Sequence, residues 1–374
     1  MTAFDDLVPP YIRTLRGYIP GKPASVAEQE SGVRCIKMAS NENPFGPSPM
    51  ALAAMAAAAQ SQNLYPDDTN STLRRRLAAM HGVGLDEVMV TDGSTAFLNV
   101  IARTLLGPGL KAVTSERSFI IYPLVTRLAG ATLVETPMRG DTFDLDAILR
   151  AIDSDTRVVF LANPNNPTGT MLDAPAIDQF LARVPPDVLV VLDEAYCDFA
   201  EDFARRAGVE YSHSLDYIRQ DRSVVVLRTF SKAHGLAGLR VGYGFAPRRI
   251  LQYFARVRTP FSVSGIAEAA ALAALDDPGH VQRAVENNAA GVPYLTARLR
   301  EMGLRVVPSC ANFIYFEVGD DAAGVAKRMQ ADGVIVRPLG AWGSSTALRV
   351  SVGTPEQNDR FLAVLKSALE RVLA

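Results

Sequence analysis

Between residues 88 and 245 the chain alternates short, unbroken apolar runs with longer segments whose apolar positions recur at helical spacing. The apolar runs lie at 88–90, 112–114, 132–134, 158–162, 188–192 and 224–227, with a seventh at 241–245. Runs of this length predict strands buried on both faces. Continuous apolar strands separated by helices predict the α/β class: a mostly parallel sheet sandwiched by helices. Upstream, Ser48 and Pro49 make a favourable helix start, so the alanine-rich stretch 49–60 reads as a helix and 71–81 as a second. Residues 1–45 are proline-rich and read as irregular chain. Beyond Pro260 the pattern changes, with helices expected at 266–275, 281–302, 322–331 and 356–373 and apolar runs at 304–307, 311–316, 334–336 and 348–352. That order predicts a smaller α+β domain. The expected division is a large domain over 47–262 and a small domain over 1–46 and 263–374, the latter including an N-terminal arm.

Ligands of such sheets sit at the carboxyl ends of the strands. The chemically unusual residues of this chain fall there: Ser94 and Thr95, Phe119, Asn166, Asp193 with Tyr196, and Lys232 with Arg240. Lys232 follows a buried strand, where a lysine is costly unless it is used. One use is a Schiff base with a cofactor aldehyde, since burial pushes a lysine amine toward its neutral, nucleophilic form. Asp92-Gly93-Ser94-Thr95 opens a helix, so its backbone N–H groups and hydroxyls suit a phosphate, with Thr229, Ser231 and Arg240 completing the cup. Asp193 can pair with a protonated ring nitrogen. Asn166 and Tyr196 can hydrogen-bond a phenolic oxygen, and Phe119 can stack on a flat ring. Each piece also has an ordinary reading: a helix cap, a turn, a buried carboxylate, a core aromatic, a structural arginine. Their conjunction in this order describes pyridoxal 5'-phosphate.

Composition narrows the alternatives. The 374 residues are enough for two domains, and a net charge of -2 leaves no basic footprint for nucleic acid. The three cysteines, Cys35, Cys197 and Cys310, form no CxxC pair, and the four histidines show no ligand spacing, so no metal is expected. The chain starts without a basic segment followed by an apolar one, and no apolar stretch approaches the ~20 residues of a membrane span. Cytoplasmic residence and no membrane partner are the expectations. No strand is followed by GxGxxG, which disfavours a dinucleotide-binding dehydrogenase, and residues 1–45 are too short and too proline-rich for the DNA-binding domain that a cofactor-binding regulator would need.

The motifs Asn41-Glu42-Asn43-Pro44, Tyr65-Pro66-Asp67, Asp92-Gly93-Ser94, Asn163 to Gly169, Asp193-Glu194-Ala195-Tyr196, Ser231-Lys232 to Arg240 and Leu348-Arg349-Val350-Ser351-Val352-Gly353 span nearly the whole chain. As a set they resemble the fold-type I pyridoxal-phosphate aminotransferases, in the histidinol-phosphate aminotransferase group. The resemblance implies Lys232 as the Schiff-base lysine, Asp193 as the ring-nitrogen partner, and Tyr196 with Asn166 as the clamp on the ring oxygen. It implies that Ser94, Thr95, Thr229, Ser231 and Arg240 hold the cofactor phosphate, and that Tyr65 reaches the phosphate of a neighbouring subunit in a homodimer. Arg349 would bind the substrate α-carboxylate, Tyr18 and Arg337 would lie at its distal end, and Asn43 would belong to the substrate site. The ring-stacking position, often tyrosine in this group, is Phe119. The implied reaction is ping-pong transamination of an amino donor and a 2-oxo acid, with histidinol phosphate and 2-oxoglutarate as first choice. An aromatic amino acid aminotransferase and a decarboxylase of a phosphorylated amino acid are the alternatives.

Overall fold

The computed structural model describes residues 4–15, 17, 22–319 and 321–373. Its centre is a seven-stranded sheet. In chain order the strands are β1 (Val88–Thr91), β2 (Lys111–Ser115), β3 (Thr132–Thr136), β4 (Thr156–Ala162), β5 (Leu189–Asp193), β6 (Val224–Thr229) and β7 (Gly242–Phe245). They lie in the order β1-β7-β6-β5-β4-β2-β3. All six expected strands are present and pair in parallel where they adjoin one another. The seventh, β7, runs antiparallel between β1 and β6. Strands β5 and β6 are buried along their whole length, because helices cover both faces. That is why they read as unbroken apolar runs.

A second sheet is built from β8 (Arg305–Val306), β9 (Phe313–Glu317), β10 (Arg337–Pro338) and β11 (Ala347–Ser351), all antiparallel, in the order β8-β9-β11-β10. One face packs Ile314, Phe316, Leu348 and Val350 against Phe361 and Leu365 of the last helix, Pro355–Leu373. This apolar core is separate from that of the large sheet. The apolar run at 334–336 divides: Val334–Ile335 pairs in parallel with Ile36–Lys37, and Arg337–Pro338 turns to pair with β11.

The described part of the first 45 residues is more regular than proline content suggests. A helix occupies Ala24–Ser31. It starts after Pro23 and ends at Gly32, whose φ of 68° is the left-handed turn that glycine accepts readily. Between those signals lie alanine, glutamate and glutamine, good helix formers. Among the described residues no helix is long and apolar enough to cross a membrane.

Candidate active site

The antiparallel β7 draws distant segments into one corner. Gly242 lies opposite both Thr91 of β1 and Thr229 of β6. The chain entering β7 therefore arrives at the carboxyl ends of its two neighbours. Gly93-Ser94, Ser231-Lys232 and Arg240 meet there. A Cβ on Gly242 would stand 2.7 Å from the Ser94 backbone nitrogen, so only glycine permits this approach.

That corner suits an anion. Ser94 and Thr95 begin the helix Ser94–Leu105, preceded by Gly93 at φ 95°, with no side chain capping its first N–H groups. Thr229 ends β6, and its Oγ1 accepts the Ser231 N–H at 3.1 Å. Arg240 Nη1 reaches Ser231 Oγ at 3.5 Å and Ala237 O at 3.0 Å. A Cβ on Gly93 would meet Arg240 Nη2 at 2.5 Å, filling the cradle between the helix end and the guanidinium.

Next to the corner lies a pair of titratable groups whose environments shift them in opposite directions. Asp193, at the end of β5 and level with Ala162 and Leu227, is buried. Its Oδ2 accepts the Tyr122 hydroxyl at 3.0 Å, whereas its buried Oδ1 has no donor among the described residues. Burial pushes this carboxyl up to about 6, and the Tyr122 bond pulls the other way. Lys232 donates to Ser40 O at 3.1 Å, with Nζ 5.5 Å from the centre of the Tyr196 ring. Burial, aided by the nearby Arg349 charge, pushes its amine down to about 7. The adjacent Glu194 shows what the alternation of a strand does. It is equally buried, yet engaged by Arg228 Nη2 at 2.9 Å and Ser212 Oγ at 2.7 Å.

Phe119, Asn166 and Tyr196 line the same cavity. Asn166 Oδ1 accepts from Arg349, which also donates to Ala39 O at 2.9 Å. Arg337 and Arg349 are direct register partners on β10 and β11, so both side chains leave one face of the small sheet. Their guanidinium carbons lie 5.2 Å and 5.9 Å from the Trp342 ring. The cavity is thus walled by both sheets.

Two expected residues, Asn43 and Tyr65, are not among its lining. Asn43 donates to Ala233 O at 2.8 Å and accepts from the Phe45 N–H at 2.9 Å, holding the loop beside the lysine instead of facing the cavity. Tyr65 is 85% exposed and rests on Phe261, ring centres 5.0 Å apart, outside its own chain's cavity. Tyr18 lies outside the described residues. Conversely, sequence reasoning passed over Asn41, which donates to the Tyr196 hydroxyl at 2.9 Å, as well as Tyr122 and Trp342. Asn41 stands in a motif already singled out, Tyr122 lies one helical turn after Phe119, and Trp342 is the single tryptophan of the chain.

Residues 33–365 match the family model described as aminotransferase class I and II, and the chain belongs to that family. It is an aminotransferase, with the fold-type I architecture. Within the family it is similar to histidinol-phosphate aminotransferase 2 of Pseudomonas aeruginosa, with 44% identity over 372 residues and 99% of each chain covered. The histidinol-phosphate aminotransferase of Akkermansia muciniphila is also 44% identical, over 96% of this chain and 98% of that one. The crystal structure of histidinol-phosphate aminotransferase from Sinorhizobium meliloti in complex with pyridoxal-5'-phosphate matches with a TM-score of 0.86 and 30% identity, covering 98% of both chains.

Proposed function

We propose that this chain is a pyridoxal-phosphate-dependent aminotransferase that moves the amino group between histidinol phosphate and 2-oxoglutarate. The observation that carries the cofactor is the donor-free Oδ1 of buried Asp193 beside a lysine held near neutrality. Ser94, Thr95, Thr229, Ser231 and Arg240 would hold the phosphate, Phe119 the ring face, and Asn166 with Tyr196 the phenolic oxygen. When bound, the cofactor supplies an electron sink for the charge left at the substrate α-carbon. Asp193, ionised, would pair with the cofactor's ring nitrogen and keep that nitrogen protonated and positively charged. Lys232, about half of it neutral at pH 7, would take the proton from the α-carbon and return it later in the half-reaction. In this reading residues 47–262 carry the chemistry, and 1–46 with 263–374 carry substrate recognition.

The paired arginines support the substrate. Histidinol phosphate carries a phosphate and glutamate two carboxylates, so one site serving both calls for a cation at each end of the substrate, Arg349 at the α-carboxylate end and Arg337 at the distal anion. A charge-assisted bond of this kind contributes about 1.5–3 kcal/mol. Arg337→Met is expected to lower kcat/KM for histidinol phosphate about ten- to a hundredfold. Phenylalanine, with a single carboxylate, should change little. Arg349→Met should impair both, because Arg349 also holds Asn166. Steady-state kinetics on the two donors checks this, and a wild-type preference for phenylalanine would replace histidinol phosphate with an aromatic substrate.

The exposure of Tyr65 supports a homodimer with shared sites, since a large ring standing free of its own cavity suits a partner's. Mixing a Tyr65→Phe chain with a Lys232→Ala chain should restore activity through hybrids in which one site has both groups. Absence of recovery, with subunit exchange verified by mass, would assign Tyr65 to its own chain.

A further inference from the structure

Among the described residues, Asn41 joins the small sheet to the Tyr196 hydroxyl through a run of short hydrogen bonds. It is 1% exposed and has a φ of 57°, the left-handed region that asparagine tolerates better than most residues. Its backbone N–H donates to Ser351 Oγ at 2.7 Å, and its carbonyl accepts Asn312 Nδ2 at 3.0 Å. Ser351 and Asn312 belong to the strand carrying Arg349 and to the turn before β9. The side chain then reaches the other way, and Nδ2 donates to the Tyr196 hydroxyl at 2.9 Å.

The orientation of the amide follows from Ser351. That hydroxyl already accepts the Asn41 N–H, so its own proton goes to Asn41 Oδ1, 3.3 Å away. Nδ2 is then the end that faces Tyr196. A tyrosine oxygen that accepts one bond keeps its proton for another direction. The Tyr196 hydroxyl makes no other hydrogen bond among the described residues, and Tyr196 lines the cavity.

We infer that Asn41 is a positioning residue that fixes the Tyr196 hydroxyl as a hydrogen-bond donor into the cavity, toward the phenolic oxygen of a bound ring. This rests on the cofactor reading above. Burial raises the Tyr196 phenol, a rise that Arg349 and the bond from Asn41 oppose without cancelling, so the hydroxyl keeps its proton and can donate it in a hydrogen bond. A donor on the ring oxygen favours its anionic form and so lowers the pH at which the bound cofactor loses its proton.

The test is a pH titration of the visible absorbance of protein reconstituted with pyridoxal 5'-phosphate. Asn41→Asp keeps the side-chain shape and tolerates the left-handed backbone, but its carboxylate accepts from the Tyr196 hydroxyl and reverses the bond. The absorbance midpoint should rise by about one pH unit. Asn41→Gly keeps the backbone and removes the amide, and should give a smaller rise. In a Tyr196→Phe background both shifts should fall to less than half. A midpoint left in place by both substitutions overturns the inference, and so does an Asn41→Asp shift of the same size with and without the Tyr196 hydroxyl. If Asn41→Asp does not fold, the Asn41→Gly pair decides by the same comparison. Wild-type protein that binds cofactor while the variants fail these expectations isolates the failure to Asn41. Wild-type protein that gains no band overturns the cofactor reading and this inference with it.

Discussion

Lys232→Ala is expected to abolish transamination, with kcat falling by about four orders of magnitude or more, because one amine serves as both nucleophile and proton carrier. Cofactor affinity should persist in part, since the phosphate corner and the ring contacts do not depend on the lysine. Absorbance titration with pyridoxal 5'-phosphate reads binding, and single-turnover assays read the chemistry. Full activity in this variant would sink the site assignment. The same lysine leaves a mark on stability. Its folded pKa, pushed down to about 7, lies below the ordinary lysine value of 10.5. Between those values the unfolded chain binds a proton that the folded chain does not, so stability rises with pH across that window. Below about 7 both states are protonated and the whole penalty of burying the charge is present. Cofactor-free wild-type protein should therefore gain stability relative to Lys232→Met as pH rises from about 7 toward 10, measured by denaturant midpoints.

Asp193→Asn carries the second large effect. The substitution keeps the size of the side chain but removes the charge that faces the ring nitrogen. Losing one partner of a buried charge pair costs about 3–5 kcal/mol, which at 1.36 kcal/mol per decade is roughly two to four orders of magnitude in rate. Stability should move the other way. The carboxyl is raised from 3.8 to about 6, so the folded cofactor-free chain holds a proton that the unfolded chain has released. That favourable term is present at low pH and lost as pH rises through about 6, leaving a penalty at neutral pH. Asparagine carries no such penalty, so the cofactor-free variant should be at least as stable as wild type at pH 7. A collapse in stability with an unchanged rate would make Asp193 structural.

The parts of this site that were legible in the sequence are those fixed by strand ends. A buried strand must stop where polar residues begin, and Asp193, Lys232, Asn166 and Ser94 all sit at such stops. The parts that were not legible depend on which way a side chain leaves the backbone. Asp193 and Glu194 are both acidic and both buried, but strand alternation sends one to the cavity and the other to Arg228. Asn41 and Asn43 share one motif, and the left-handed turn at Asn41 aims the first at Tyr196 while the second braces its own loop. The reversed direction of β7 was illegible for a related reason: its apolar run looks the same read either way. Trp342 gave no signal because a lone aromatic in a glycine-rich turn has no period to belong to.

The position of Arg337 has a consequence for how such enzymes diversify. It lies on β10, the outermost strand of the small sheet, where Pro338 removes a backbone donor that only an edge tolerates. The groups that make and break bonds belong to a different sheet with its own core. A substitution at Arg337 on this outer strand can therefore redirect a catalyst to new donors while the bond-making groups, and the core beneath them, stay as they are.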